Sequence, residues 1–234
     1  MIVAIPTKGR AGKVKTLKYF PNAILFVEPE EYETYSFEYN KNRVVYIGQN
    51  NGGISYVRNF ILDYFDEPVL MLDDDITKLF YRKGNKLYII GDTRELIKSI
   101  DSCFKKGYKQ VTLSYKASNW LCSEPYKVNT RCWCFNGIDC RLPIRYDSKS
   151  DVFEDYDFTA QLIHGGYKNI CLYVYAFECE KMGSNSGGWQ MFDRQEKSKL
   201  AKEYLIKKWG KHVVKTRFNE FTNISEVQFL WSKI

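Results

Sequence analysis

Apolar positions along the chain fall into two rhythms. Short, largely apolar runs at residues 2–5, 23–27, 43–47, 69–72, 111–115 and 170–177 predict strands, some of them buried on both faces. Between them, apolar residues recur at helical spacing. Ile54, Val57, Ile61 and Phe65 predict a helix over 53–65, and Leu96, Ile97, Ile100 and Phe104 one over 93–106. Further helices are expected over 13–20, from about residue 153 to Gly165-Gly166, and over 193–209. Residues 79–81 and 87–90 read as a hairpin around Gly84-Asn85, and 131–135 as a strand leading into Asn136-Gly137. Residues 116–130 read as irregular, and 210–234 carry no clear signal. Strands alternating with helices predict an α/β fold with a mixed, mostly parallel sheet flanked by helices.

One of these strands changes the picture. Val69-Leu70-Met71-Leu72 runs directly into Asp73-Asp74-Asp75. The carboxyl end of a parallel strand is where open α/β sheets bind ligands. Three adjacent carboxylates repel one another there, and a hard divalent cation such as Mg²⁺ or Mn²⁺ is their simplest partner. A polar loop after a strand is the plainer explanation, and a lone Asp pair would need no other.

Composition limits the rest. The chain has 234 residues, 44% hydrophobic, enough for one large domain. A net charge of +7 is compatible with nucleic acid, a nucleotide phosphate or simple solubility. Aromatic residues at 16% exceed what a core requires and leave some to line a cleft. Residues 1–6 read as a strand and lack the longer apolar run of a signal peptide, and no apolar stretch approaches the roughly 20 residues of a membrane span. A cytoplasmic location with no membrane partner is therefore expected. The seven cysteines are scattered without CxxC pairs, which argues against a structural zinc site.

Four other positions bear on chemistry. Lys8-Gly9-Arg10 leaves the first strand as a basic turn suited to a phosphate, although basic turns are common. Arg58 lies in the first half of a helix, poorly placed for the helix dipole, and is better explained by an anion or carboxylate within reach. Glu154-Asp155 opens another helix, where carboxylates also act as caps. The 183–189 segment is polar, glycine-rich and carries Trp189, a composition shared by lids and by plain linkers.

Taken in order, Ile5-Pro6-Thr7-Lys8-Gly9-Arg10, Val57-Arg58-Asn59, Leu72-Asp73-Asp74-Asp75 and Phe153-Glu154-Asp155 resemble the motif series of GT-A glycosyltransferases, a Rossmann-like fold. Together with the 52–59 segment they resemble most closely the phage-type TET-associated glycosyltransferases, thought to glycosylate hydroxymethylated pyrimidines in DNA. The resemblance covers roughly residues 1–210. It implies a nucleotide-binding half at 1–78, an acceptor half at 79–210 and a C-terminal extension at 211–234. It further implies Mn²⁺ or Mg²⁺ as cofactor, a UDP-sugar as donor and double-stranded DNA with hydroxymethylated bases as acceptor. Asp73 and Asp75 match the two acids of the DxD motif, with His212 a candidate for the late histidine that completes the metal shell in many relatives. Pro6, Thr7, Lys8, Arg10, Glu28, Arg58, Asp73, Asp74 and Trp189 are the expected nucleotide-sugar contacts. Asp155 is the candidate base, with Glu154 the alternative. A glycan or protein hydroxyl as acceptor, and a non-catalytic nucleotide- or DNA-binding module, are the competing functions. The DNA reading predicts a basic groove, with Lys197, Lys199, Lys202, Lys207 and Lys208 as candidates.

Overall fold

The computed structural model describes residues 1–180, 191–219 and 224–234. The N-terminal part runs β1 (Ile2–Pro6), β2 (Ile24–Val27), α1 (Tyr32–Glu38), β3 (Val44–Tyr46), α2 (Gly53–Tyr64) and β4 (Pro68–Leu72). The middle adds β5 (Ile76–Lys83), β6 (Lys86–Ile89), α3 (Arg94–Lys105), β7 (Gln110–Tyr115), β8 (Tyr126–Val128) and β9 (Phe135–Asp139). Then follow α4 (Glu154–His164), β10 (Asn169–Cys179), α5 (Met191–Trp209), β11 (Val214–Asn219) and β12 (Ile224–Phe229).

One large sheet has the order β3-β2-β1-β4-β9-β7-β10-β5-β6, with β8 also paired to β10. Neighbours from β3 to β4 are parallel, as are β7 and β10, whereas β9 runs antiparallel to both β4 and β7. This is the expected α/β architecture of a mixed sheet between helices. Tyr35 of α1 and Leu96, Ile100 and Cys103 of α3 bury one core, while Val57, Ile61 and Leu62 of α2 and Phe158 and Leu162 of α4 bury another. The parallel strands end together, so Thr7, Glu28 and Asp73 leave the same edge.

Three expectations fail locally, each for a visible reason. Residues 13–20 form only a 3₁₀ turn at Lys15–Lys18. Lys15 N and Thr16 N donate to the Asp74 carbonyl at 2.9 and 3.3 Å, and Thr16 Oγ1 donates to the Asp73 carbonyl at 2.6 Å, so this segment pins the acid run instead of continuing a helix. The strand expected over 131–135 lies at Phe135–Asp139, with Asn136-Gly137 inside it. Its glycine packs closely: a Cβ on Gly137 would stand 3.2 Å from the Phe104 ring. The silent C-terminus forms the β11–β12 hairpin, which shares a core with Phe153 and Ala160 of the α4 region and Ala201 and Leu205 of α5. Among the described residues no helix is long and apolar enough to cross a membrane.

Candidate active site

The acid run turns its three side chains to different partners. Asp73 accepts from Arg58 Nη2 at 3.0 Å and its side chain stays about one third exposed. Asp74 is buried and accepts from Thr7 Oγ1 at 2.6 Å and from Arg10 Nη1. Burial raises its pKa to about 6 against the pull of Thr7 and Arg10. Asp75 lines a cleft of about 720 Å³ together with Gly9, Arg10, Lys13, Lys15 and Glu180. Burial, followed by the neighbouring Asp73 charge, raises its pKa too.

Asp74 and Thr7, expected among the donor contacts, thus close on each other. Thr7 Oγ1 also lies 3.0 Å from the Tyr35 hydroxyl, which accepts from Arg10 N at 2.9 Å. Pro6 is the buried last residue of β1. These three residues shape the turn, and the lining of the cleft beside Asp75 takes in Arg10 but not them. Lys8 Nζ contacts Asn51 Oδ1 and Glu28 Oε2, both at 2.7 Å, and Glu28 accepts from Asn51 N at 2.9 Å. Asn51 has a left-handed backbone, φ 56°, just before α2.

Arg58 is the joint of the site. Its buried guanidinium donates to Asp73 and, at 2.8 Å, to Glu154 Oε1. Two carboxylates raise its pKa despite burial. Its misfit with the helix dipole is therefore answered by carboxylates on two other segments. Glu154 is pushed up to about 8 by burial; Arg58 pulls it down, and the Asp155 and Asp73 charges push it further up. Asp155 points to a different cation, accepting at Oδ2 from Arg131 Nε and Nη2 at 3.1 and 2.9 Å. Asp157, wholly buried, accepts from Lys208 Nζ at 2.8 Å and from the Trp209 indole at 2.7 Å. The three acids of the first turn of α4 are each matched to a cation.

A divalent cation suits Asp75. Its Oδ1 is buried without a hydrogen-bond partner, an arrangement costly for a carboxylate unless a cation joins it. Asp73 is engaged through Oδ1 alone in its bond to Arg58. His212 is exposed in the turn after α5, its imidazole crowded against Gly210. Among the described residues no group of three or more His, Cys, Asp or Glu is arranged around a metal site. Trp189 lies outside the described residues. Lys208, expected in a basic groove, is spent on Asp147 and Asp157.

The sequence reading missed Arg131, Cys134 and Cys179. Cys134 Sγ and Cys179 Sγ are 3.7 Å apart, the Cys134 carbonyl accepts from Asp73 N at 3.3 Å, and the Cys179 thiol hydrogen-bonds Asp75. No periodicity marks them, because they become neighbours of the acids only when β9 and β10 enter the sheet.

A mixed α/β sheet with an acid run at a strand end and a second acid pair beside it is the arrangement expected of the GT-A fold. The profile of the TET-Associated Glycosyltransferase family matches residues 1–188, and the chain belongs to that family. No curated protein matches it. Among solved structures it is similar to S. aureus TarS 1–349, at 16% identity and TM-score 0.52, with 88% of this chain and 66% of that one covered. It is also similar to the mannosyltransferase PcManGT from Pyrobaculum calidifontis in complex with GDP-Man and Mn²⁺, at 12% identity and TM-score 0.58, with 88% and 63% covered. The chain therefore spans just under two thirds of the length of both.

Proposed function

We propose that this glycosyltransferase moves a sugar from a nucleotide sugar, a UDP-sugar, to the hydroxyl of a hydroxymethylated pyrimidine in DNA, with Mn²⁺ or Mg²⁺ as cofactor. The observation that carries the reading is the Arg58 joint, which ties an acid of the DxD run to an acid of the α4 pair. Donor-binding and base-bearing segments are thereby one cluster. The family's name supports a DNA base as acceptor. The bound GDP-Man and Mn²⁺ of the mannosyltransferase support a nucleotide sugar and a divalent ion.

Asp75, helped by Asp73, would hold the cation, which supplies charge neutralisation for the diphosphate leaving group. Two carboxylates suffice because such ions complete their shells with phosphate oxygens and water. Arg10, on the cleft beside Asp75, adds positive charge toward the diphosphate, and Lys8, Glu28 and Asn51 form a polar patch suited to the nucleoside. Asp155 is the base that takes the acceptor proton. The Arg131 contacts fall on its Oδ2, which leaves Oδ1 to face the hydroxyl. Glu154 is the alternative; its raised pKa keeps a proton on it near neutrality.

The second reading is a glycan acceptor, favoured by Trp120 and Tyr126, which stand 78% and 52% exposed on the acceptor half. The two separate on acceptor preference. Incubation with labelled UDP-glucose and Mn²⁺ should label DNA carrying 5-hydroxymethylcytosine and leave plain DNA unlabelled. Labelling of an oligosaccharide with neither DNA labelled would favour the second reading.

A further inference from the structure

Arg131 sits against two aromatic rings. Its guanidinium carbon lies 3.6 Å from the Trp133 ring centroid and 3.9 Å from that of Tyr156. Nη1 donates to the Tyr156 hydroxyl at 2.6 Å, while Nε and Nη2 both donate to Asp155 Oδ2. Tyr156 in turn contacts the C-terminal segment. The Tyr156 ring lies 5.4 Å from Phe229 at 27° and 6.1 Å from Trp231 at 4°, and those two rings lie 5.2 Å apart at 23°. Tyr156 thus belongs at once to the Arg131 contacts and to a three-ring cluster with Phe229 and Trp231. The last two lie beyond residue 188, where the family match ends.

We infer that Arg131 is a positioning residue for Asp155, and that the C-terminal segment is a working part of the active site because Phe229 and Trp231 pack on Tyr156, which contacts Arg131. This deepens the proposed function and rests on Asp155 being its base. A surface Arg–Asp pair would need no such setting, since exposed pairs contribute little. Here the guanidinium has two aromatic faces and one carboxylate oxygen as partners, which fixes both its plane and its rotation. Asp155 inherits that orientation: one oxygen is pinned and the other is set at a fixed angle. Tyr156 follows Asp155 directly on α4, so the hairpin rings that hold Tyr156 also hold the helix turn carrying the base. A lysine at 131 would keep the charge but lose the planar fork and both stacking faces.

The test compares wild type with Arg131→Lys, Arg131→Met and Trp231→Ala, using UDP-glucose, Mn²⁺ and 5-hydroxymethylcytosine DNA. Arg131→Met should lower kcat by about tenfold to 100-fold, the scale of a misplaced reacting group. The KM for UDP-glucose should stay within about twofold, because ground-state donor binding is untouched. Arg131→Lys should recover only part of the loss, and Trp231→Ala should lower kcat in the same direction. A readout independent of turnover accompanies this: labelling of Asp155 by a water-soluble carbodiimide and glycine ethyl ester, mapped by mass spectrometry. Labelling should run several-fold faster in Arg131→Met and Trp231→Ala than in wild type, at unchanged far-UV circular dichroism. Unchanged labelling in both variants, or kcat within about twofold of wild type in Arg131→Met, would overturn the assignment. If wild type itself transfers no sugar, the proposed function fails, while the labelling rates still decide whether Arg131 and the hairpin hold Asp155.

Discussion

Arg58 and Glu154, 96 positions apart in the sequence, meet at 2.8 Å in the interior of the protein. The same guanidinium reaches Asp73, so one cation serves two acids from separate segments. Removing it leaves the buried Glu154 carboxyl and the one-third-exposed Asp73 without their shared donor. Arg58→Met should therefore destabilise the fold by about 1–3 kcal/mol, read from urea unfolding at neutral pH. A loss under about 1 kcal/mol would mean that the acids find other partners.

Glu154 gives a pH dependence with a definite sign. Its carboxyl is raised from an ordinary 4.5 to about 8 by burial. The folded state therefore holds a proton that the unfolded chain has already released between those values. The stability contributed by this group is fully present below about pH 4.5 and is lost as pH rises through 8. Wild type should lose stability relative to Glu154→Gln between pH 5 and 8.5, measured as urea midpoints across about that range. Parallel curves for the two proteins would contradict the assignment.

Asp74 and Asp75, adjacent in sequence, should give opposite phenotypes. Asp75→Asn should abolish Mn²⁺ binding measured by titration calorimetry, because it removes the charge from a cleft-lining acid whose Oδ1 is buried without a hydrogen-bond partner. Asp74→Ala should leave binding sites intact in kind but destabilise the turn by about 1–3 kcal/mol, since Thr7 and Arg10 lose their acceptor. Equal loss of Mn²⁺ affinity in both would show that the run binds metal as a unit.

Gly137 tests the shifted strand. A Cβ there would crowd the Phe104 ring at 3.2 Å and the Val111 carbonyl at 3.4 Å. Gly137→Val should cost about 1–3 kcal/mol by overpacking, seen as a lower thermal midpoint. A turn at Asn136-Gly137, as the dipeptide suggests in isolation, would tolerate the change better.

Much of the fold was legible because its signals are local. The 69–72 run, the helical spacing of Ile54, Val57 and Ile61, and the Gly84-Asn85 turn each carry their own evidence in a few residues. Arg58 was legible as a misfit: a cation in the first half of a helix asks for an anion elsewhere, and two carboxylates supply it. Arg131 was not legible, because its value comes from Trp133, Tyr156 and Asp155, which meet only in the folded chain. The C-terminal hairpin was silent for a similar reason: its apolar residues find a core only against α4 and α5. Asn136-Gly137 misled because tertiary packing of Phe104 overrode a turn-forming pair.

The most direct measurement follows label from a UDP-sugar into hydroxymethylated DNA, with Mn²⁺ present or chelated, in wild type and Asp75→Asn. Label should enter the modified DNA only with wild type and free Mn²⁺. Undiminished transfer by Asp75→Asn, or transfer that ignores the chelator, would contradict a divalent ion held at that acid as the centre of the reaction.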